Sequence, residues 1–433
     1  MKLRFTFLLM LSMVSTAFGD PLVTPFSGIT GQMGYRNGIG DDAIFNDPMG
    51  LARDSVGNLY ICDARNHVIR KVTPGGLVTT LAGKPGVAGA VDGVGRRARF
   101  RFPVDIAVAP NGVLYVADSG NHCIRVITTD GAVSTLAGDL GSANDIDSDT
   151  GLKFSVVSPQ LDGKGPAARF NSPSGIAYAP GDFLYVSDTA NHTIRKITLH
   201  GDVTTLAGKP VSWGATDGTG IDARFNTPMG LCIGADGNLY IADSMNHAIR
   251  CMTPKAAVST FAGHASEPGC IPGPRREARF CNPTDVTPHP EGGFIICESF
   301  GNALFRLNAD GMVSLFAGGS TSPTEPSSKT LSQPHSVVCD EQGNVYVADT
   351  FNQEVRLIIE KFETSISVVN GASQVTITWD SLPGRTYQLQ IFRTQGWENS
   401  SLPPVDAVGE QTSTTFPMPA EKAGIYRILL LGF

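Results

Sequence analysis

An all-β fold, a six-bladed β-propeller, is what the sequence predicts, and three observations predict it. A Gly ending a Val-x-x-x-Ala-Gly run falls at Gly83, Gly138, Gly208, Gly263 and Gly318, with a looser copy ending at Gly28, and the spacings are 55, 55, 70, 55 and 55 residues. An Asp-x-x-Asn-His turn recurs at 63–67, 118–122, 188–192 and 243–247, and an Arg recurs at Arg70, Arg125, Arg195, Arg250, Arg306 and Arg356. The two ends of the array complement each other, since it opens on a lone d-type strand (23–28) and closes on a set that lacks one. A fixed period of this length marks a repeat architecture, and four short antiparallel strands per period make one propeller blade.

The chain divides into an export signal (1–19), the propeller (20–362) and a small β-sandwich-like domain (363–433). Lys2 and Arg4, the apolar run 5–14 and the small-x-small triplet 17–19 form the signal, and the run is too short to span a bilayer. A secreted or periplasmic protein is expected, with no membrane span after cleavage. In the first repeat, strand a covers 50–53, b 59–62, c 68–72 and d 78–83, because alternating and β-branched runs there are separated by turn residues. The d–a loops carry Asp-Gly-x-Gly at Asp92, Asp162 and Asp217, with Asn37 in the first copy, and read as turns rather than nucleotide cradles since no helix follows. Ala-x-Phe and a Pro then precede strand a, where a proline leaves no ladder bond unmade. The final set stops at its c strand, so 23–28 is expected to complete the sixth blade and remove the open edges.

Two repeats are irregular. In the fifth, an extra residue in the a–b turn (288–293) is expected to shift the frame. Ser299 then stands for the turn Asp and Ala303 for the His, while Asn302 and Arg306 keep their places. The connection after Gly138 is 15 residues longer than its neighbours. Beyond the repeats, 374–380, 387–391 and 425–430 read as strands.

Hydrophobic content of 41%, 17% charge and 49 glycines among 433 residues describe an ordered, loop-rich chain. A net charge of −7 and the lack of a basic face beyond the loop 96–101 exclude nucleic acid as a partner. Most of the eight cysteines take positions that small core residues hold in other repeats, as Cys62 matches Ala117 and Ser187. Cys270 and Cys281 instead bracket one inter-repeat loop and are the candidate disulfide.

The segments LYICDARNHVIRKVT, LYVADSGNHCIRVIT, LYVSDTANHTIRKIT and LYIADSMNHAIRCMT resemble NHL repeats, the family named for Asn-His-Leu, with Val, Cys, Thr or Ala in the third place. The resemblance covers roughly 23–359. It implies a β-propeller, most often six-bladed. Many members are interaction platforms, while some similar propellers are lyases or hydrolases with a metal in the central channel. The run VTITWDSLPGRTYQLQ resembles the fibronectin-III-like modules that end many exported bacterial proteins.

The four His of the Asn-His pairs belong to equivalent turns that the symmetry holds apart, so they read as structural. The repeated Arg residues and turn Asp residues read as buried pairs. Function is sought where repeats differ. Asp105 and Asp285 follow the loop Pro in blades two and five, which oppose each other, and His335 and Ser336 follow it in blade six. Carboxylates and an imidazole converging on the channel mouth can bind a cation or polarise a ligand. Asp145, Asp147 and Asp149 alternate in the long connection and partly resemble a calcium loop. No cofactor is specified by any motif; a divalent cation such as calcium is the candidate. The expected function is a binding module that presents its d–a loop face to an extracellular protein or glycan. The alternative is a metal-dependent lyase or hydrolase at the central channel mouth.

Overall fold

The computed structural model describes residues 21–140, 160–265, 267–319 and 330–360, and beyond these the backbone of strands between 364 and 432. The expected export signal and Asp145, Asp147 and Asp149 lie outside the described residues. Residues Val23–Ile358 form one compact unit and the strands after it belong to a second. Among the described residues no helix is long and apolar enough to cross a membrane.

The first unit is the expected six-bladed propeller. In blade one, strands a (Pro48–Arg53), b (Leu59–Asp63), c (Val68–Val72) and d (Leu77–Ala82) pair in order, and a two-residue strand, Gly38–Ile39, adds a fifth outside d. Blades two to five repeat this order. The sixth is assembled from both ends: Leu22–Gly28 pairs with Glu354–Ile359, which continues through Val345–Asp349 to Pro334–Cys339. Gly28, at φ +106°, lets the backbones meet; a Cβ there would lie 2.8 Å from Gln353 O and Glu354 Cα. Neighbouring a strands touch all the way round, including the last (Pro334–Cys339) with the first (Pro48–Arg53). Each inter-blade core joins residues from adjacent blades, as Ala52, Tyr60 and Ile69 pack with Phe100, Ile106 and Val116.

The motif residues hold the blades together. Asp118 is fully buried, and it accepts hydrogen bonds from Arg101 N–H, Asn121 Nδ2 and Arg125 Nη1 at 2.8, 2.8 and 2.9 Å. Arg125 also bonds Asp92 and the carbonyls of Val91 and Arg99, with its guanidinium 5.1 Å above Phe100. The loop Asp of Asp-Gly-x-Gly is therefore a second anion for the buried arginine, beyond its expected turn role. The same cage recurs around Arg195 and Arg250, and Asn37 supplies the loop oxygen to Arg70. In blade six Glu354 takes that part for Arg356.

The histidines stitch each blade to the next. His67, His122, His192 and His247 end the b–c turn at positive φ, and each Nδ1 accepts a backbone N–H from the following blade, from Phe102, Ser172, Thr227 and Asn282, at 2.9–3.2 Å. Asn302 Oδ1 and Gln353 Oε1 do the same toward Gln333 and Asp47, which closes the ring. Burial lowers the pKa of all four rings, keeping Nδ1 free to accept.

Blade five corrects the expected frame shift. Glu298 pairs with Ala303 as Asp63 pairs with Val68, so the frame is unbroken and Glu298, not Ser299, holds the turn-acid position. Asn302 takes the His position, Gly301 the Asn position and Phe305 the Arg position. Arg306 lies one residue out of register and bonds Gly292 O, Leu307 O and His289 Nδ1.

In the second unit, Gln374–Asp380 pairs antiparallel with Thr364–Val368 and Gln411–Pro417, and Thr386–Arg393 pairs with Gly396–Asn399, Val405–Asp406 and Ile425–Gly432.

Candidate functional site

Two places on the propeller depart from its six-fold repetition. The first is the channel lined by the a strands. Asp105 Oδ2 accepts Ile176 N–H of blade three at 2.9 Å. Asp285 accepts Ser336 Oγ–H at 2.8 Å, Val337 N–H at 3.0 Å and Val286 N–H at 2.8 Å. Each side chain clamps the next blade and fits because the preceding blade offers Gly50 or Gly230, where a Cβ would overlap the Asp. Though on opposed blades, the acids sense one another. Burial, and secondarily the Asp285 charge, push Asp105 well above the usual carboxylate range, and burial pushes Asp285 up to about 6. Asp285 has the richer set of donors, so it carries the charge and Asp105 the proton.

Ser336 links the pair to blade one by accepting Leu51 N–H at 3.2 Å. His335 stays apart. Its Nε2 has no partner, and burial alone lowers its pKa to about 4. The structure thus gathers Asp105, Asp285 and Ser336 but not the expected imidazole. Among the described residues no trio of metal-ligating atoms forms at the channel.

A pH dependence follows from the raised pair. A carboxyl whose folded pKa exceeds its unfolded 3.8 adds stability below that value and loses it as pH rises through the folded pKa. Asp105→Asn imitates the protonated form and escapes this loss. Its urea midpoint is expected to gain steadily on the wild type from pH 4 to pH 8; a constant difference would refute the placement of the proton on Asp105.

The second place is the face of the b–c turns and d–a loops, which are bonded to each other through contacts such as Asn246 Nδ2 to Gly214 O. The middle residue of each b–c turn points outward between buried neighbours, as Met245 does between Ser244 and Asn246. Around the ring this residue is Arg65, Gly120, Ala190, Met245, Phe300 and Phe351. Blades four, five and six therefore present three adjacent large apolar tips, exposed by 48, 65 and 47%. Trp213, 69% exposed, stands beside Gly214 in the loop tied to the blade-four turn.

A model of the NHL repeat matches residues 100–127, 170–197 and 225–252, each running from the core Phe to the end of strand c. These three segments match the NHL repeat. It is 29% identical over 297 residues to Protein SUPPRESSOR OF QUENCHING 1, chloroplastic, of Arabidopsis thaliana, covering 64% of this chain and 26% of that protein. It is 31% identical over 294 residues to NHL repeat-containing protein 2 of Bos taurus, covering 61% and 38%. The chain thus spans well under half the length of these curated relatives. A structural genomics protein of unknown function from Bacteroides thetaiotaomicron VPI-5482 superposes with a TM-score of 0.58 at 21% identity, over 79% of this chain and 76% of that one, a likeness of fold.

The apolar arc on the NHL turns escaped the sequence reading. Its signal was available: reading down the residue before the motif Asn shows the change from small or charged to large apolar side chains at the fourth repeat.

Proposed function

We propose that this NHL propeller is a binding module whose turn-and-loop face, on blades four to six, takes an extracellular protein partner. NHL propellers commonly serve protein interaction, and the observation that carries the reading is the arc of Met245, Phe300 and Phe351 on three consecutive turn tips. Neighbouring large apolar side chains held on a rigid ring are what a protein hot spot needs, since aromatic anchors there order little on binding. The export expected from residues 1–19 supports an extracellular setting.

Photo-crosslinking residues placed at 300 and 351 should capture one partner from the source culture, while the same residue at Val56, on the a–b turn, should not. Phe300→Ser with Phe351→Ser is then expected to weaken that complex by roughly 30-fold, at about 2 kcal/mol for a hot-spot pair. Equal capture from 56 and 300, or no change in affinity, would overturn the assignment; glycan-only capture would replace the protein by a glycan.

The alternative, a metal-dependent lyase or hydrolase at the channel mouth, is supported by the buried, electrostatically coupled Asp105 and Asp285. It is weakened because both acids already accept backbone N–H groups and neither acid's charge acts on His335. Stoichiometric metal in purified protein, lost with Asp105→Ala and Asp285→Ala together, is the result that would favour it.

A further inference from the structure

Blade five has exchanged its salt cage for thiols. Glu298 is fully buried where the other blades bury a turn Asp. The arginine that would face it is Phe305, edge-on to Phe280 at 5.9 Å, the asparagine is Gly301, and the loop Asp is Pro272. Into the space left by the asparagine comes Cys270. A Cβ on Gly301 would lie 2.7 Å from its sulfur. Cys270 Sγ donates to Glu298 Oε2 at 3.4 Å, Cys281 N–H bonds Glu298 Oε1 at 2.6 Å, and the Cys281 sulfur lies close enough to raise the Cys270 pKa. The hairpin in which Gly269 N–H bonds Phe280 O and Ile271 pairs with Arg279 holds the two cysteines side by side. Both are reduced, Cys270 exposed and Cys281 partly so.

We propose that Cys270 and Cys281 form a reversible dithiol–disulfide site that reacts with a low-molecular-weight disulfide, with Glu298 as the proton acceptor. Cys270 donates its S–H to Glu298 and so keeps its proton, which leaves Cys281 to ionise first. The Cys281 thiolate attacks one sulfur of the small disulfide, forming a mixed disulfide and expelling one thiolate. Cys270 then passes its proton to the Glu298 carboxylate and attacks the Cys281 sulfur. The protein disulfide forms and a second thiolate leaves. Two protein thiols and one small disulfide become one protein disulfide and two small thiols, so two electrons pass to the reagent. Among the described residues no cation faces Glu298; burial pushes it up to about 8, within reach of both protonation states, whereas Cys270 is pushed up to about 12 by burial and the Glu298 charge. The other thiol against Glu298, Cys297, is buried and out of reach of a reagent. The bond would tie the d–a loop of blade five to the start of its strand a, directly beside Phe300.

The full-length protein, equilibrated with mixtures of oxidised and reduced glutathione, quenched with iodoacetamide and mapped by peptide mass spectrometry, tests this. The expected result is a Cys270–Cys281 crosslink that appears and disappears with the glutathione ratio while Cys251 and Cys339 stay alkylated. Cys270→Ser should stop at a glutathione adduct on Cys281. Glu298→Gln should slow conversion of adduct to crosslink by at least about tenfold. Alkylation of both thiols after full oxidation, or separate adducts with no crosslink, would overturn the site. An unchanged rate in Glu298→Gln would remove Glu298 from it, and the wild-type map decides the pair even if that variant does not fold.

Discussion

Arg125→Met is expected to lower the stability of the propeller by about 3–5 kcal/mol, the scale at which removing one partner strands a buried charge. Methionine keeps the apolar stem against Phe100, so the loss isolates the guanidinium. Without it Asp118 stays fully buried with only an amide side chain and one backbone N–H as donors, and the Val91 and Arg99 carbonyls each lose one of their two donors. The pair is not an irreplaceable source of stability, because a buried ion pair and a well-packed apolar substitute are often equivalent. Its parts must change together. Urea unfolding of Arg125→Met, Asp118→Asn and the double variant should show a coupling well above 1 kcal/mol. A cost below about 1 kcal/mol for Arg125→Met would mean that the cage is solvated in practice.

The second large effect is at the seam. Deleting residues 21–28 should abolish the single cooperative melt and give larger self-associating species than the full chain forms. The strand supplies the only partner of Glu354–Ile359 on that side in its sheet, and its Phe26 is buried edge-on to Tyr346 at 5.2 Å. Its absence exposes a row of unpaired backbone groups in a strand that is otherwise buried, a template for other chains. Light scattering after size exclusion reads the association, and a synthetic 21–30 peptide added in trans should restore the mass of the full chain. Phe26→Ala is the milder probe, at about 3–5 kcal/mol. A truncated chain with the full chain's mass and an unchanged melt would show that six blades close without the strand.

Both effects rest on features of unequal legibility. Periodicity exposed the blades, because each repeats the same alternation and turn chemistry, and the lone strand at 23–28 exposed the seam. The cage was half legible: Asp118 and Arg125 are seven residues apart in every complete copy, but Asp92 is distant in sequence and passed for a turn residue. Blade five was misread because Arg306 lies one residue from the repeat position and drew the alignment after it. Only pairing of Glu298 with Ala303 returned Phe305 to the arginine's place.

The fold class, the blade number and the closure were determined by the sequence alone, since a local pattern repeated at fixed intervals leaves one way to bury its faces. Tertiary structure alone decided which side chains meet. It put Asp105 and Asp285 within electrostatic reach of one another and left the His335 ring outside that coupling, because repeat position in the sequence does not fix which charged groups lie close together. It also set Cys270 against Cys281 and Glu298, in a space that exists only because an arginine and an asparagine are missing from that blade.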